Sequence, residues 1–161
     1  GGSMTLEDTG MLTALRHDPG ITLLDRAQAK TPEETKKIYH DALSSDFYFM
    51  STNAITKDGE LVNIDGTGNR VAALIYGPEH VIVMAGMNKV AANVDEALSR
   101  VHGTATPMNC KRLGKNTPCS ATGVCSDCLS PDCICNQVVI TRRSGIEGRI
   151  KVILIGEELG Y

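Results

Sequence analysis

A chain of 161 residues with 42% hydrophobic content has room for one α/β-sized core and no second one. Its 16 basic and 19 acidic residues are spread along the sequence, so a net charge of −3 leaves no electrostatic footprint for nucleic acid or anionic lipid. The longest apolar runs are strand-sized, which excludes a membrane-spanning helix, and two Phe, four Tyr and no Trp provide no stacking platform for bases.

Gly1, Gly2 and Ser3 ahead of Met4 read either as an expression scar or as an anion-binding loop, with Ser3 or Thr5 capping an amphipathic helix that carries Leu6, Met11, Leu12 and Leu15. After the turn Asp18-Pro19-Gly20, Ile21 to Leu24 predicts a short buried strand. Thr31, Pro32 and Glu34 form a helix start with a capping box, and that helix should run to about Leu43. Phe47 to Met50 predicts a strand. Lys57-Asp58-Gly59 marks a hairpin turn before a second strand, Glu60 to Ile64, which brings Asn53 and Asp65 to one end of the sheet.

Asp65-Gly66-Thr67-Gly68-Asn69-Arg70 follows that strand and opens a short helix with Val71, Leu74 and Ile75. It is a candidate binding loop, or else a tight strand-to-helix turn capped by Asp65. Val81 to Ala85 has the continuous apolar character of a strand buried on both faces of a parallel sheet. The next helix carries the stripe Val90, Val94, Ala97, Leu98 and Val101 and should end at Gly103. Asn88 and Lys89 would then stand at its N-terminus, on the ligand side of such a sheet. Gln137 to Thr141 and Lys151 to Ile155 are two further strands, the second one buried, with a polar turn from Arg142 to Arg149 between them. The histidines, His17, His40, His80 and His102, lack paired acids at motif spacing and are expected at the surface. Alternating strands and helices predict an α/β domain over 1–161 with a mostly parallel sheet and a cysteine-rich loop over 110–136.

All six cysteines fall between Cys110 and Cys135, with one C-x-x-C at Cys125 and Cys128. Such a pair can aim both sulfurs at one metal, and Pro118, Gly123, Ser130 and Pro131 let the flanking loops curl inward. Cys119, Cys125, Cys128 and Cys135 are the expected ligands, with Cys110 and Cys133 spare. A 4Fe-4S iron–sulfur cluster and a Cys₄ zinc both suit four soft thiolates, and the short loop with a single knuckle tilts the expectation toward the cluster. Three disulfides would need an oxidising compartment, and a chain of this size buries a core without them. A cytoplasmic address is expected, and no nucleotide cofactor.

These residues resemble the lactate-utilisation (LUD) domain proteins, in particular their short anaerobe-type members. The resemblance rests on Gly1-Gly2-Ser3-x-Thr5-Leu6, Asn53-Ala54-Ile55-Thr56 with Asp58-Gly59, Asp65-Gly66-x-Gly68-Asn69-Arg70, Gly86-Met87-Asn88-Lys89-Val90, and the cysteine segment from Thr117-Pro118-Cys119 to Ile134-Cys135-Asn136. It implies a Rossmann-like three-layer α/β/α sandwich of the glucosamine-phosphate isomerase, ribose-phosphate isomerase and coenzyme A transferase group. It implies further that Gly1, Gly2, Ser3, Thr5, Asn53, Asp65, Gly66, Thr67, Gly68, Asn69, Arg70, Asn88 and Lys89 line one anion-binding crevice. Family members carry a helical stretch and a strand before the first loop, so the resemblance also implies a shortened N-terminus and a native Gly1-Gly2-Ser3.

Family members are associated with oxidation of lactate to pyruvate beside iron–sulfur partner proteins. Two functions follow from the resemblance: a cluster-bearing component of organic-acid oxidation, or an isomerase- or acyl-transfer-type enzyme with a structural zinc. In the second, Asp65 or Glu60 would act as base while Arg70 and Lys89 grip a small anionic acid or phosphate, Lys89 being also a catalytic candidate. A homo-oligomer is compatible with either.

Overall fold

A computed structural model describes residues 3–161. In chain order the helices are α1 (Met4–Asp8), α2 (Met11–His17), α3 (Pro32–Ala42), α4 (Asn69–Ile75), α5 (Val94–Arg100), α6 (Thr106–Arg112) and α7 (Pro118–Thr122). The strands are β1 (Phe47–Met50), β2 (Ala54–Thr56), β3 (Leu61–Asp65), β4 (His80–Gly86), β5 (Val90–Ala91), β6 (Gln137–Thr141) and β7 (Ile150–Ile155). The chain forms two compact units, each assembled from separated segments. The Gly1 and Gly2 part of the expected anion loop lies outside the described residues.

Of the described residues, the first unit comprises 3–51, 72–87 and 144–160. Its sheet has the order β1-β4-β7, with both pairings parallel. β4 is central, which is why Val81, Val83 and Ala85 are fully buried, as their unbroken apolar run predicts. Leu6, Leu12 and Met84 form a core cluster, lined by Met11, Leu15, Phe49, Ile82 and Ile155. Burial of Leu6 alone is worth about 2 kcal/mol. The expected single N-terminal helix is two, because Gly10 adopts φ +71° between α1 and α2, a left-handed conformation that ends one helix and starts the next.

Three expectations in this unit are corrected. Ile21 to Leu24 forms no strand, and Ile21 and Leu24 are exposed, because a four-residue apolar run next to Pro19-Gly20 has no sheet neighbour to pair with. The last strand forms, but Val152, Ile153 and Leu154 are 39%, 45% and 50% exposed. β7 is an edge strand, and an apolar run cannot by itself say which position in a sheet it takes. The third correction concerns Arg149, read as part of a polar turn. It is 7% exposed and donates to the carbonyls of Pro78, Leu74 and Ala73 at 3.0, 2.7 and 2.9 Å, closing the C-terminal end of α4.

α3 forms as its cap predicts: the Thr31 hydroxyl accepts from the Glu34 amide at 3.1 Å. The Glu34 carboxylate reaches one residue further back than a capping box requires, accepting from the Lys30 amide at 2.6 Å.

The second unit comprises 52–71, 88–143 and Tyr161. Its sheet has the order β5-β2-β3-β6, with β2 parallel to β5 and antiparallel to β3, and β3 antiparallel to β6. The β2–β3 hairpin turns at Gly59, whose φ is +91° and whose amide donates to Thr56 O at 2.9 Å. Ala54, Val62, Ile64 and Ala91 of the sheet pack against Ala97, Val101 and Ala105.

The helix expected over Val90 to Val101 starts only at Val94, where the Asn93 side chain accepts from the Glu96 amide at 2.9 Å; Val90 belongs to β5. Lys89 accordingly sits in a 3₁₀ turn (Met87–Lys89) rather than at a helix N-terminus, and is only 4% exposed. The helix does not stop at Gly103. It widens into a π turn over Val101–Ala105, where the Thr106 amide donates to Val101 O, and continues as α6. Pro107 accounts for this, since it has no N–H to offer the Gly103 carbonyl and its ring would strike that carbonyl in an unbroken α-helix.

Candidate functional site

The Asp65–Arg70 loop is held by its own side chains. Asp65 Oδ1 accepts from the amides of Thr67 and Gly68 at 3.2 and 2.7 Å, an Asx turn that brings the chain from β3 into α4. Asp65 Oδ2 accepts from Arg70 Nε at 3.0 Å. The same guanidinium donates to Asn63 Oδ1, to Asn53 Oδ1 at 2.9 Å and to Ile64 O at 3.0 Å. Asn53 Oδ1 also accepts from the Ile64 amide at 3.0 Å.

Asn53, Asp65, Gly66, Thr67, Gly68 and Arg70 are thus brought together, with Asn69 opening α4 beside them. Gly66 lies close against the cysteine segment, where a Cβ would stand a tight 3.3 Å from Ile134 Cα, and Gly68 takes φ +89°. Asn63 joins this network, is fully buried, and its Nδ2 has no hydrogen-bond partner among the described residues. Nothing in the linear pattern points to Asn63 beyond its place in a strand.

Arg100 of α5 donates from Nε to Asn88 O at 2.8 Å and from Nη1 to Asn53 O at 2.7 Å. Burial lowers its pKa, yet a guanidinium stays charged. Glu60 lies in the hairpin turn, with its carboxylate accepting from the Thr56 hydroxyl at 3.2 Å. Ser3 precedes α1 without a side-chain cap bond. Thr5, fully buried in the first unit, donates to Leu159 O at 3.2 Å and accepts from the Ser51 hydroxyl at 3.3 Å.

The cysteine segment is strapped at its neck. Asp132 accepts from Lys115 Nζ at 3.0 Å and from the Asn116 amide at 2.7 Å, and the Ser130 hydroxyl donates to Asn116 O at 3.2 Å. These bonds hold the Asp132 carboxyl below the usual carboxylate range. All six cysteines are free thiols. Cys119, 6% exposed in α7, lies 3.3 Å from the Thr117 hydroxyl, and Cys110 is 1% exposed in α6. Cys135 packs on the Val101 and Ala105 cluster. Its amide also donates to Cys133 Sγ at 3.3 Å.

Burial pushes the Cys110 thiol up to about 11 and the Cys135 thiol up to about 12, with neighbouring sulfurs adding to both. Cys125 takes a different neighbour. Its sulfur is 3.4 Å from His102 Nδ1 and accepts from the Asp127 amide at 3.4 Å, with Asp127 held at φ +48°. His102, expected at the surface, is half-buried on the π turn.

Of the four expected ligands, Cys135 is brought against Cys133, Cys125 against a histidine and Cys119 against the Thr117 hydroxyl, while Cys128 is half-buried. Among the described residues no three His, Cys, Asp or Glu side chains converge closely enough to hold a metal ion as they stand. The donor set itself, thiols with one imidazole nearby, is that of soft and borderline metals. Helix packing around Pro107, invisible to spacing rules, is what sets His102 and Cys110 beside the loop.

Together these features define a mixed α/β protein with one wholly parallel sheet, a self-braced Gly-rich loop and six free thiols in one segment of the chain. The LUD domain family profile matches residues 1–155, and the chain belongs to that family, whose name ties it to lactate utilisation. Neither the comparison with curated proteins nor that with solved structures gives a match. Among the described residues no helix is long and apolar enough to cross a membrane.

Proposed function

We propose that this LUD domain protein serves the oxidation of lactate or a chemically similar organic acid as the bearer of a thiolate-held iron–sulfur centre on a Rossmann-like scaffold. Cys119, Cys125, Cys128 and Cys135 would hold it. The observation that supports the reading is the presence of six free thiols in one segment strapped at its neck. When bound, such a cluster supplies one-electron transfer. The chain's own contribution is the burial of Cys119 and the Thr117 hydroxyl at its sulfur, two of the levers that set a cluster's potential. Oxidation of a 2-hydroxy acid to a 2-oxo acid releases two electrons and two protons, so electrons taken up singly would pass to iron–sulfur partner proteins.

A second reading is favoured by one observation, the imidazole of His102 beside Cys125. A zinc held by thiolates and imidazole would be structural, and the chemistry would lie elsewhere in the domain. Anaerobic purification followed by iron, zinc and acid-labile sulfide analysis separates the two. A brown protein with iron and sulfide is the expected result. A colourless protein with zinc supports the second reading, and a protein that binds neither metal removes both.

A further inference from the structure

We propose that Arg100 and Asn63 bind a small carboxylic acid that carries a second oxygen, with Arg100 gripping the carboxylate and Asn63 donating to the other oxygen. This rests on the organic-acid part of the reading above and needs neither a thiol nor a metal. Two sets of donors lack acceptors in this part of the fold. Arg100 is half-buried, and its Nε and Nη1 each donate to a backbone carbonyl, Asn88 O at 2.8 Å and Asn53 O at 2.7 Å. Among the described residues its Nη2 has no hydrogen-bond partner and the guanidinium has no carboxylate partner. Burial is the cause that moves its pKa, as expected of a cation with no ion pair. A charge drawn partly out of water and met only by carbonyl dipoles still has capacity for an anion.

Asn63 is the independent observation. It is fully buried in β3, where Oδ1 accepts from the Asn53 amide at 3.3 Å and from Arg70, while Nδ2 donates to nothing among the described residues. An enclosed amide nitrogen without an acceptor is costly, and a ligand oxygen would remove that cost. Asn53 joins the two groups. Its carbonyl serves Arg100, its amide serves Asn63, and its Oδ1 serves Arg70 and the Ile64 amide. Within this network Arg70 is paired with Asp65, so the gripping role expected of Arg70 falls to Arg100. The one positive charge left over matches a carboxylate better than a phosphate dianion. Asn53, Arg70 and Arg100 are half-buried while Asn63 is enclosed, so solvent reaches the charged part of the network and the amide is its inner end.

The test is calorimetric titration of the full chain, purified with and without added iron and sulfide, with lactate, acetate, lactamide and inorganic phosphate. Lactate should bind, lactamide, which has the shape without the charge, should not, and acetate, which lacks the second oxygen, should bind at least about tenfold more weakly. Arg100→Gln and Asn63→Asp should each weaken lactate at least about tenfold. Asn63→Asp keeps the oxygen that Asn53 and Arg70 need and replaces the unpartnered donor with a repelling charge. Arg100→Lys keeps the charge without the fork, and should also weaken lactate; it serves where circular dichroism shows that Arg100→Gln does not fold. A folded wild type that binds no lactate overturns the proposal, as do folded variants that bind it unchanged, acetate or lactamide bound as tightly as lactate, or phosphate bound more tightly. Lactate bound by a protein that takes up no iron keeps this site and removes the cluster reading. An iron-loaded protein that binds no lactate does the reverse.

Discussion

Arg70 Nε donates to Asp65 Oδ2 at 3.0 Å, and the rest of the guanidinium is engaged by Asn53, Asn63 and Ile64. The pair ties the end of β3 to the start of α4, and both side chains are largely buried, at 19% and 9% exposure. Removing Arg70 strands a buried carboxylate and several acceptors at once. Arg70→Ala should cost about 3 kcal/mol of stability in urea unfolding. Arg70→Lys should recover only part of that loss, because one ammonium cannot reproduce a fork of donors. A loss below about 0.5 kcal/mol would mean that the loop does not depend on this bridge.

Arg149 offers a second test of buried bridging. Its three carbonyl partners, Ala73, Leu74 and Pro78, are acceptors at the end of α4 that water does not reach easily. Arg149→Met keeps the length and apolar stem but leaves those carbonyls unsatisfied, and should destabilise by about 3 kcal/mol, read as a lowered thermal midpoint.

Gly77 adopts φ +128°, and a Cβ there would stand 2.7 Å from the Leu43 carbonyl oxygen. Both the conformation and the space exclude a side chain. Gly77→Ala should therefore cost about 2 kcal/mol or more by chemical denaturation, and a neutral result would show that the turn can shift away from α3.

Asp25 carries a pH prediction. Burial alone would raise its carboxyl, but the Ala27 amide and Arg16 Nε, at 3.0 and 2.9 Å, outweigh it and hold the group below its ordinary value of 3.8. A lowered folded-state pKa gives stability that is present above the unfolded value and is lost as pH falls through the folded one. The difference in stability between the wild type and Asp25→Asn should thus be constant above about pH 5 and shrink below about pH 4. Since the pair lies near the surface, it should not exceed about 1 kcal/mol. A difference that grows on acidification would contradict the ion pair.

Local chemistry was legible in the sequence and tertiary placement was not. Thr31 and Pro32 start α3 where their cap signals say, Gly59 turns the hairpin, and Asp65 braces its loop, because each effect acts over a few residues. Val81 to Ala85 announces a central strand by composition alone. The similar run Val152 to Leu154 does not reveal that it sits at an edge, since that depends on which strands pair beside it.

Glycine usually closes helices, yet the helix passes through Gly103. The π turn that absorbs Pro107 is fixed by how Val101 and Ala105 pack on the sheet. In the candidate site, spacing identified the cysteine segment as a unit. The neighbours of each sulfur, Cys110 on α6 and His102 on the π turn, are set by that same helix path and could not be counted off a linear pattern.

The chain leaves the first compact unit after Ser51, returns at Ala72, departs again after Met87 and comes back at Ser144. No single cut can therefore release either half intact. A fragment ending anywhere between Asn88 and Arg143 would strip β7 from the parallel sheet while leaving its neighbour β4 behind. Dissecting the molecule genetically will have to proceed by point substitution or by rejoining the ends, because each half is assembled from separated stretches of chain.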